Sequence, residues 1–193
     1  MKILFLLFLC FSYLFSKNIM LDENETNYLK NKKIITMCVD PDWEPFEKIN
    51  EDGFHEGISA DIIRLVSDKL NIKIELIPTK TWDESIAFSK NKKCDILSFL
   101  NETPKRKEWL FFTEPIFKDP NVLVGRSEKK YIEDISKVNL SIALPRETAM
   151  AERFSKDFPN LTIIPTSSED EAFRLVEGVT TVNGNYCTAG IKK

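Results

Sequence analysis

The stretch "ISADIIRLVSDKLNIKIELIP", residues 58–78, changes its hydrophobic period halfway along. Its first half places apolar side chains at offsets of 0, 4, 7, 8 and 12, which predicts one face of a helix made by Ile58, Ile62, Leu65, Val66 and Leu70. Its second half alternates apolar and polar residues from position 72, which predicts a strand. A helix that leads directly into a strand is typical of α/β proteins.

The same succession continues on both sides of this stretch. Upstream, "IITMCVD" (residues 34–40) is a short apolar run of strand length. Downstream, "TWDESIAFSK" opens with Thr81 and Glu84 in capping-box spacing, which predicts a helix, and "CDILSFL" (94–100) predicts a third strand. Strand, helix, strand, helix, strand indicates a parallel sheet with right-handed crossovers.

A second α/β unit follows residue 120. We expect strands at 122–126, 138–144 and 161–165, and helices at 131–136, 147–158 and 167–178. Only the last two strands have a clear core pattern. From about residue 179 the tail carries no charge until Lys192, and Asn183-Gly184 predicts a hairpin. We interpret the second unit as incomplete, in a chain truncated at its C-terminal end.

The N-terminal residues predict export. Lys2 precedes an apolar run over residues 3–15, which is too short to span a bilayer and suits the core of a signal peptide. The alternative is an uncleaved membrane anchor. The expected organisation is a signal peptide at 1–17, a polar lead-in at 18–33, a first lobe at 34–120 and a partial second lobe at 121–193. The expected location is the periplasm.

Composition excludes several classes of protein. A net charge of −3 over 193 residues gives no general attraction for nucleic acid. Cys38 and Cys94 lie in apolar runs, where we expect buried packing and leave their redox state open. His55, the one histidine, lies in a polar loop and is expected to be solvated, so we predict no metal site and no cofactor. Serine-hydrolase, Walker and HExxH motifs are missing from the sequence.

Polar and aromatic side chains follow each predicted strand of the first unit. Ligands of open α/β sheets bind beyond the carboxyl ends of the strands. An arginine can fork onto a carboxylate, whereas an ammonium group is favoured over tryptophan faces and beside an acidic group. This set therefore suits a small zwitterion. Its members are Asp40, Trp43, Trp82, Ser98, Asn101, Thr103 and Arg106.

The segment "NETPKRKEWLFFTEP", residues 101–115, contains the expected anchor of that site. Thr103 followed by Pro104 predicts a helix start, and three cations follow at 105–107. Cations are unfavourable at a helix N-terminus unless an anion binds there, so we expect Arg106 to bind a ligand carboxylate. Trp109 to Phe112 is interpreted as a core strand that holds the arginine in place.

Two blocks of the sequence resemble a known family. They are "VDPDWEPFEKINEDGFHEGISADIIRLV" (39–66) and "CDILSFLNETPKRKEWLFFTEPIF" (94–117). Their joint pattern is similar to that of the family 3 extracellular solute-binding proteins, over about residues 34–178. That family includes polar amino-acid receptors of ABC importers and input domains of membrane sensors. The resemblance implies a Venus flytrap, in which two α/β lobes with parallel-type sheets close on a ligand.

The resemblance also assigns roles to individual positions. Trp43 matches the aromatic residue that stacks on the ligand, and Arg106 matches the carboxylate anchor. In the second lobe "LPRETAM" (144–150) replaces a start of small residues, which leaves Thr148 as a candidate contact beside Glu147. The other matched positions are Asp40 for a basic group of the ligand, Trp82 for an apolar wall, and Ser98 and Asn101 for the ammonium and carboxylate.

The expected function is a solute-binding module for an amino-acid-like or carboxylate ligand. It would serve ABC-type uptake through a permease, or form the input domain of a sensor with a membrane segment, and would not bind nucleic acid. One alternative is a periplasmic enzyme on the same scaffold, similar to a cyclic-carboxylate dehydratase, with Asp40 and Glu147 as the acid or base. Another is a truncated fragment without function.

Overall fold

The computed structural model describes residues 19–116, 118 and 121–177, together with the backbone of residues 189–192. The predicted signal peptide, the predicted lobe boundary at residue 120 and the predicted Asn183-Gly184 hairpin lie outside the described residues. Within the described part of the chain, no helix has both the length and the apolar character needed to cross a membrane.

The first sheet has the predicted parallel order. Strand β1 (Ile34–Cys38) lies at its centre, between β5 (Lys73–Leu76) and β6 (Ile96–Leu97), and both neighbours are parallel to it. Helices α2 (Ile58–Leu70) and α3 (Trp82–Lys90) form the two crossovers, and helix α1 (Glu23–Lys32) precedes the sheet. The α/β prediction is confirmed, and the carboxyl ends of β1 and β6 lie side by side.

A small antiparallel sheet fills the segment between β1 and α2, where the sequence indicates only a Pro-punctuated loop. It consists of β2 (Asp42–Trp43), β3 (Glu47–Ile49) and β4 (His55–Glu56). Glu47 is 1% exposed and accepts hydrogen bonds from the backbone N–H of Asp40 and the hydroxyl of Ser98. His55 Nε2 lies 3.3 Å from Glu47 Oε2. The prediction of a solvated His55 is therefore wrong, because this sheet folds the histidine against a buried carboxylate.

Helix α2 has the predicted bounds but a different buried face. Ser59 and Ala60 are buried, whereas Leu65 is 54% exposed. The Ser59 N–H donates to the Phe46 carbonyl at 2.9 Å, which draws the first turn of the helix against the segment before β3. Small side chains permit that close approach, so this turn buries small residues instead of the large apolar ones that periodicity selects.

The second sheet contains four strands in the order β7-β10-β8-β9. Their bounds are β7 Val122–Gly125, β8 Ser141–Pro145, β9 Thr162–Thr166 and β10 Ala189–Lys192. Strand β10 is antiparallel to β7 and parallel to β8. The expectation of two clear core strands is too low, because β10 ("AGIK") is too short for its sequence alone to indicate a strand and is paired on both edges in the sheet.

Strand β8 forms the centre of the second core. Ala143 packs against helix α5 (Glu169–Glu177), where Leu175 and Val176 are buried. Ile142 and Leu144 pack on the other face, which includes Phe154 of helix α4 (Ala149–Asp157). Alternate side chains of one strand therefore fill two layers, as expected for a sheet covered on both faces.

The segment at residues 101–115 differs from its prediction. The expected helix is a three-residue 3₁₀ turn, Arg106–Glu108, and the core strand predicted at Trp109 to Phe112 does not form. Phe111 is fully exposed, whereas Trp109 is half-buried and donates from Nε1 to Ser89 Oγ at 3.3 Å. Likewise the helix expected at 131–136 is a 3₁₀ turn at Ile135–Lys137. Short turns of this kind carry little of the helical period.

Cys38 and Cys94 are buried as predicted, and they are joined in a disulfide bond. The bond connects the end of β1 to the segment just before β6, across a sequence separation of 56. It therefore fixes the two strands whose carboxyl ends lie side by side.

Reduction of this disulfide should lower the free energy of unfolding by about 4 kcal/mol, because the loop that it closes in the unfolded chain is long. Urea unfolding of the chain with and without reductant measures the effect. The Cys38→Ala/Cys94→Ala double variant is the control, since reductant should not change its midpoint. Equal midpoints for the unaltered chain in both conditions would contradict this expectation.

Gly57 is required by the close approach of α2 to the segment before it. A Cβ atom at Gly57 (φ +107°) would lie 2.6 Å from the Phe46 carbonyl oxygen, whereas a Cβ at Gly53 (φ +82°) would meet nothing within 4 Å. Both Gly57→Ala and Gly53→Ala strain the backbone, but only Gly57→Ala adds a steric clash. We therefore expect Gly57→Ala to lower the free energy of unfolding by roughly 2 kcal/mol more than Gly53→Ala does. Thermal unfolding of both variants tests this, and equal losses would show that the clash is relieved.

Candidate functional site

A cavity lies between the two lobes, beyond the carboxyl ends of β1 and β6 and beside the start of α4. Its wall includes Glu47, Phe99, Leu100 and Ala149 in addition to predicted site residues. Its volume is about 20 Å³, which is room for about one water molecule. The two lobes are therefore closed on each other. The predicted site residues that line the cavity are Asp40, Trp43, Trp82, Asn101, Arg106 and Thr148.

Asp40 and Trp43 enter the cavity wall from the turn after β1. The Asp40 carboxylate accepts the Asp42 N–H at 3.1 Å, so the residue forms the turn and also lines the cavity. The Trp43 ring lies with its centroid 4.8 Å from that of Phe46. The sequence leaves open whether each of these residues shapes the fold or faces a ligand, and the geometry allows both.

Trp82 connects the two lobes. It is the first residue of α3, where the Thr81 hydroxyl accepts the Glu84 N–H at 3.2 Å and caps the helix. The indole Nε1–H of Trp82 donates to the Glu147 carbonyl oxygen at 2.9 Å, across the cleft. A tryptophan interpreted as an apolar wall therefore also supplies a polar bond between the lobes.

Arg106 is a buried cation in the cavity wall, with 2% of the residue exposed. Its Nη1 donates to the Asn101 carbonyl at 2.8 Å, and its Nη2 donates to the Glu147 carbonyl. Its Nε donates to Glu152 Oε1 at 3.2 Å. Burial lowers the pKa of the Arg106 guanidinium from its ordinary value, and the Glu152 carboxylate opposes that shift. The cation is thus stabilised by groups from both lobes.

Glu147 contributes through its backbone. Its φ is 55°, a left-handed conformation that costs a residue other than glycine roughly 1–2 kcal/mol. This conformation allows its carbonyl to accept from both Trp82 and Arg106. Its side chain lies 3.6 Å from Lys105 Nζ, and Glu147 is not among the residues that line the cavity.

Ser98 and Thr103 are buried behind the cavity wall. Ser98 donates to Glu47, and the Thr103 hydroxyl donates to Glu152 Oε2 at 2.6 Å while accepting the Arg106 N–H at 3.2 Å. These residues hold cavity-lining groups in position instead of facing the open space.

Glu152 is a residue that sequence reasoning missed. It follows Thr148, the N-cap of α4, by four positions, so the two side chains lie on the same face of the helix. That spacing from a predicted contact is the signal that could have identified it.

The lysines around Arg106 are explained by surface pairs. Lys107 contacts Glu102 at 2.5 Å, and both side chains are exposed. The 3₁₀ turn is too short to have the dipole of a helix, so its cations need no bound anion. Among the described residues, no group of three or more His, Cys, Asp or Glu side chains is placed to hold a metal ion.

The model of the bacterial extracellular solute-binding proteins, family 3, matches residues 35–181. The chain belongs to this family, whose Venus flytrap architecture agrees with its two α/β lobes. The solved structure of "the ancestral amino acid-binding protein AncCDT-1, a precursor of cyclohexadienyl dehydratase" has a TM-score of 0.71 at 22% identity. That alignment covers 86% of this chain and 73% of the other.

Two curated relatives are similar in sequence. The virulence sensor protein BvgS of Bordetella pertussis is 22% identical over 153 residues, which is 79% of this chain and 12% of BvgS. A "probable histidine-binding protein" of Neisseria gonorrhoeae is 27% identical over 110 residues, 55% of this chain and 41% of that protein. The match thus spans less than half the length of either relative. The relatives are mostly binding proteins and sensor domains.

Trp82→Phe should shift the ligand-free chain toward a more open arrangement, because it removes the N–H donor between the lobes and keeps the ring. Small-angle X-ray scattering measures the change as an increased radius of gyration. Trp109→Phe is the matched control, since it removes a donor that bonds within the first lobe. An equal radius for both variants would contradict a role of Trp82 in closure.

Proposed function

We propose that the chain is a periplasmic solute-binding module whose lobes close on a small amino-acid-like or carboxylate ligand. The observation that carries the proposal is Arg106, a buried guanidinium in the wall of the cleft between the lobes. Arginine binds carboxylates through charge-assisted and often bidentate hydrogen bonds. A cleft that closes around such a group can bury a ligand carboxylate against it.

The proposed roles follow from position in the cavity wall. Arg106 binds the ligand carboxylate, while Asp40 lies beside the ligand's ammonium or basic group. Trp43 and Trp82 provide faces for the cation or for apolar parts of the ligand. Asn101 and Thr148 supply polar contacts, and Ser98 and Thr103 hold the wall in position.

The names of relatives support a small ligand of this class, since they include histidine-binding and amino-acid-binding proteins. We propose that residues 1–17 direct export and that 34–120 and 121–193 form the two lobes. Ligand-dependent closure would then be detected by an ABC permease or by the membrane domain of a sensor. No nucleic acid and no cofactor takes part.

We propose binding without catalysis. The two carboxylates considered for a dehydratase are not arranged as an acid and base pair, since the Glu147 side chain lies beside Lys105 and outside the cavity lining. Turnover of a cyclic carboxylate by the purified chain would contradict this proposal and favour the enzyme.

Arg106→Ala should weaken the best ligand of an amino-acid panel roughly 100-fold, the loss expected when one partner of a buried charged contact is removed. Isothermal titration calorimetry of the unaltered chain against the twenty amino acids and small carboxylates first identifies that ligand. Arg106→Lys retains the charge without the fork and should be intermediate. Lys107→Ala is the control, because Lys107 pairs with Glu102 at the surface. Unchanged affinity in Arg106→Ala would exclude this residue as the anchor.

A further inference from the structure

We infer that Glu152 is a built-in occupant of the carboxylate-binding site: its side chain holds the ligand-free cleft closed and is displaced by the carboxylate of a ligand. The inference rests on the proposed function and adds a regulatory contact to the same site. We call this contact, between the Glu152 carboxylate and Arg106 with Thr103, the latch. The ligand-free site therefore needs no anion from solution, because the Glu152 carboxylate already binds Arg106.

The contacts of Glu152 satisfy both oxygens of its carboxylate, and one of them uses the cation that we propose as the ligand's anchor. Oε1 accepts from Arg106 Nε at 3.2 Å, and Oε2 accepts from the Thr103 hydroxyl at 2.6 Å. Both oxygens are therefore bound by first-lobe groups, one of them a cation. Charge-assisted contacts to both oxygens are how proteins recognise a carboxylate.

The two sides of this contact belong to different lobes. Glu152 lies on α4, which packs on the second sheet, and Arg106 and Thr103 follow β6 of the first sheet. The side chain of Glu152 is 15% exposed and that of Arg106 is 2% exposed. Because this buried ion pair crosses the cleft, it can persist only while the two lobes stay close together.

The arrangement leaves no room for a second carboxylate at Arg106. All three of its side-chain nitrogens donate to protein oxygens, from Asn101, Glu147 and Glu152. The remaining cavity, at about 20 Å³, holds a water molecule and not an amino acid. A ligand carboxylate can reach Arg106 only after the lobes separate and Glu152 leaves.

Carboxylate replaces carboxylate in this exchange, so Arg106 keeps an anionic partner in both closed states. The open state is the one in which the guanidinium is hydrated. If Glu152 is neutralised, the buried cation of the empty closed state loses the carboxylate that hydrogen-bonds to it, which is strongly unfavourable. The apparent ligand affinity is the intrinsic affinity multiplied by the fraction of molecules in which Glu152 has left Arg106. Both consequences can be measured.

The test compares Glu152→Gln with Asp157→Asn. Each variant removes one negative charge from α4, but Asp157 is exposed at the end of the helix. In scattering from the ligand-free full chain, we expect the radius of gyration to increase for Glu152→Gln and to stay unchanged for Asp157→Asn. Sodium acetate should restore the compact form of Glu152→Gln, because the free anion can fill the site, and should leave Asp157→Asn unchanged.

Glu152→Asp provides a second variant in case the glutamine variant does not fold, as judged by far-ultraviolet circular dichroism. Its shorter side chain keeps the charge but cannot span Arg106 and Thr103 together, so partial opening is expected. A ligand-free Glu152→Gln chain as compact as the unaltered chain, or an unchanged Glu152→Asp chain where only that variant folds, would overturn the inference.

Binding data separate this inference from the proposed function. For the panel amino acid that binds best, Glu152→Gln should bind at least tenfold more tightly than the unaltered chain, because its internal competitor is gone. If no panel compound binds any variant but the scattering changes occur, the proposed function fails while the latch remains. If the panel compound binds and Glu152→Gln has unchanged affinity and compactness, the latch fails while the proposed function remains.

Discussion

The structure depends on one constraint, which is that the buried guanidinium of Arg106 needs oxygen partners for each of its three nitrogens. A charge with 2% exposure is tolerated only when it is paired and hydrogen-bonded. One partner is local, the carbonyl of Asn101, and two come from the second lobe, the carbonyl of Glu147 and the carboxylate of Glu152. Satisfying this cation therefore brings the two lobes together.

This requirement explains features that are unfavourable when considered alone. The left-handed backbone at Glu147 aims its carbonyl at Arg106 and at the indole N–H of Trp82. The disulfide between Cys38 and Cys94 ties β1 to the segment entering β6, the two strands that lead into the cavity wall. The first lobe thus presents the cation, and the second lobe supplies two of its partners.

The features of the fold and site that the sequence predicts are those with a local physical signal. The change of period between residues 58 and 78 predicts α2 and β5, and parallel topology brings Asp40, Asn101 and Arg106 to one edge. Features that depend on tertiary contacts leave no local pattern in the sequence. Pairing makes β10 a strand, and a close approach selects Ser59 for the buried face of α2. Glu152 is hidden for the same reason, because a glutamate on an amphipathic helix has the pattern of a solvated residue until the lobes meet.

A crystal structure of the chain bound to its tightest amino acid would test the central claim most directly, through the atoms around Arg106. The account predicts that the ligand carboxylate lies within hydrogen-bonding distance of the guanidinium and that the Glu152 carboxylate has left both Arg106 and Thr103. A bound ligand elsewhere in the cleft, with Glu152 still on Arg106 and Thr103, would contradict it.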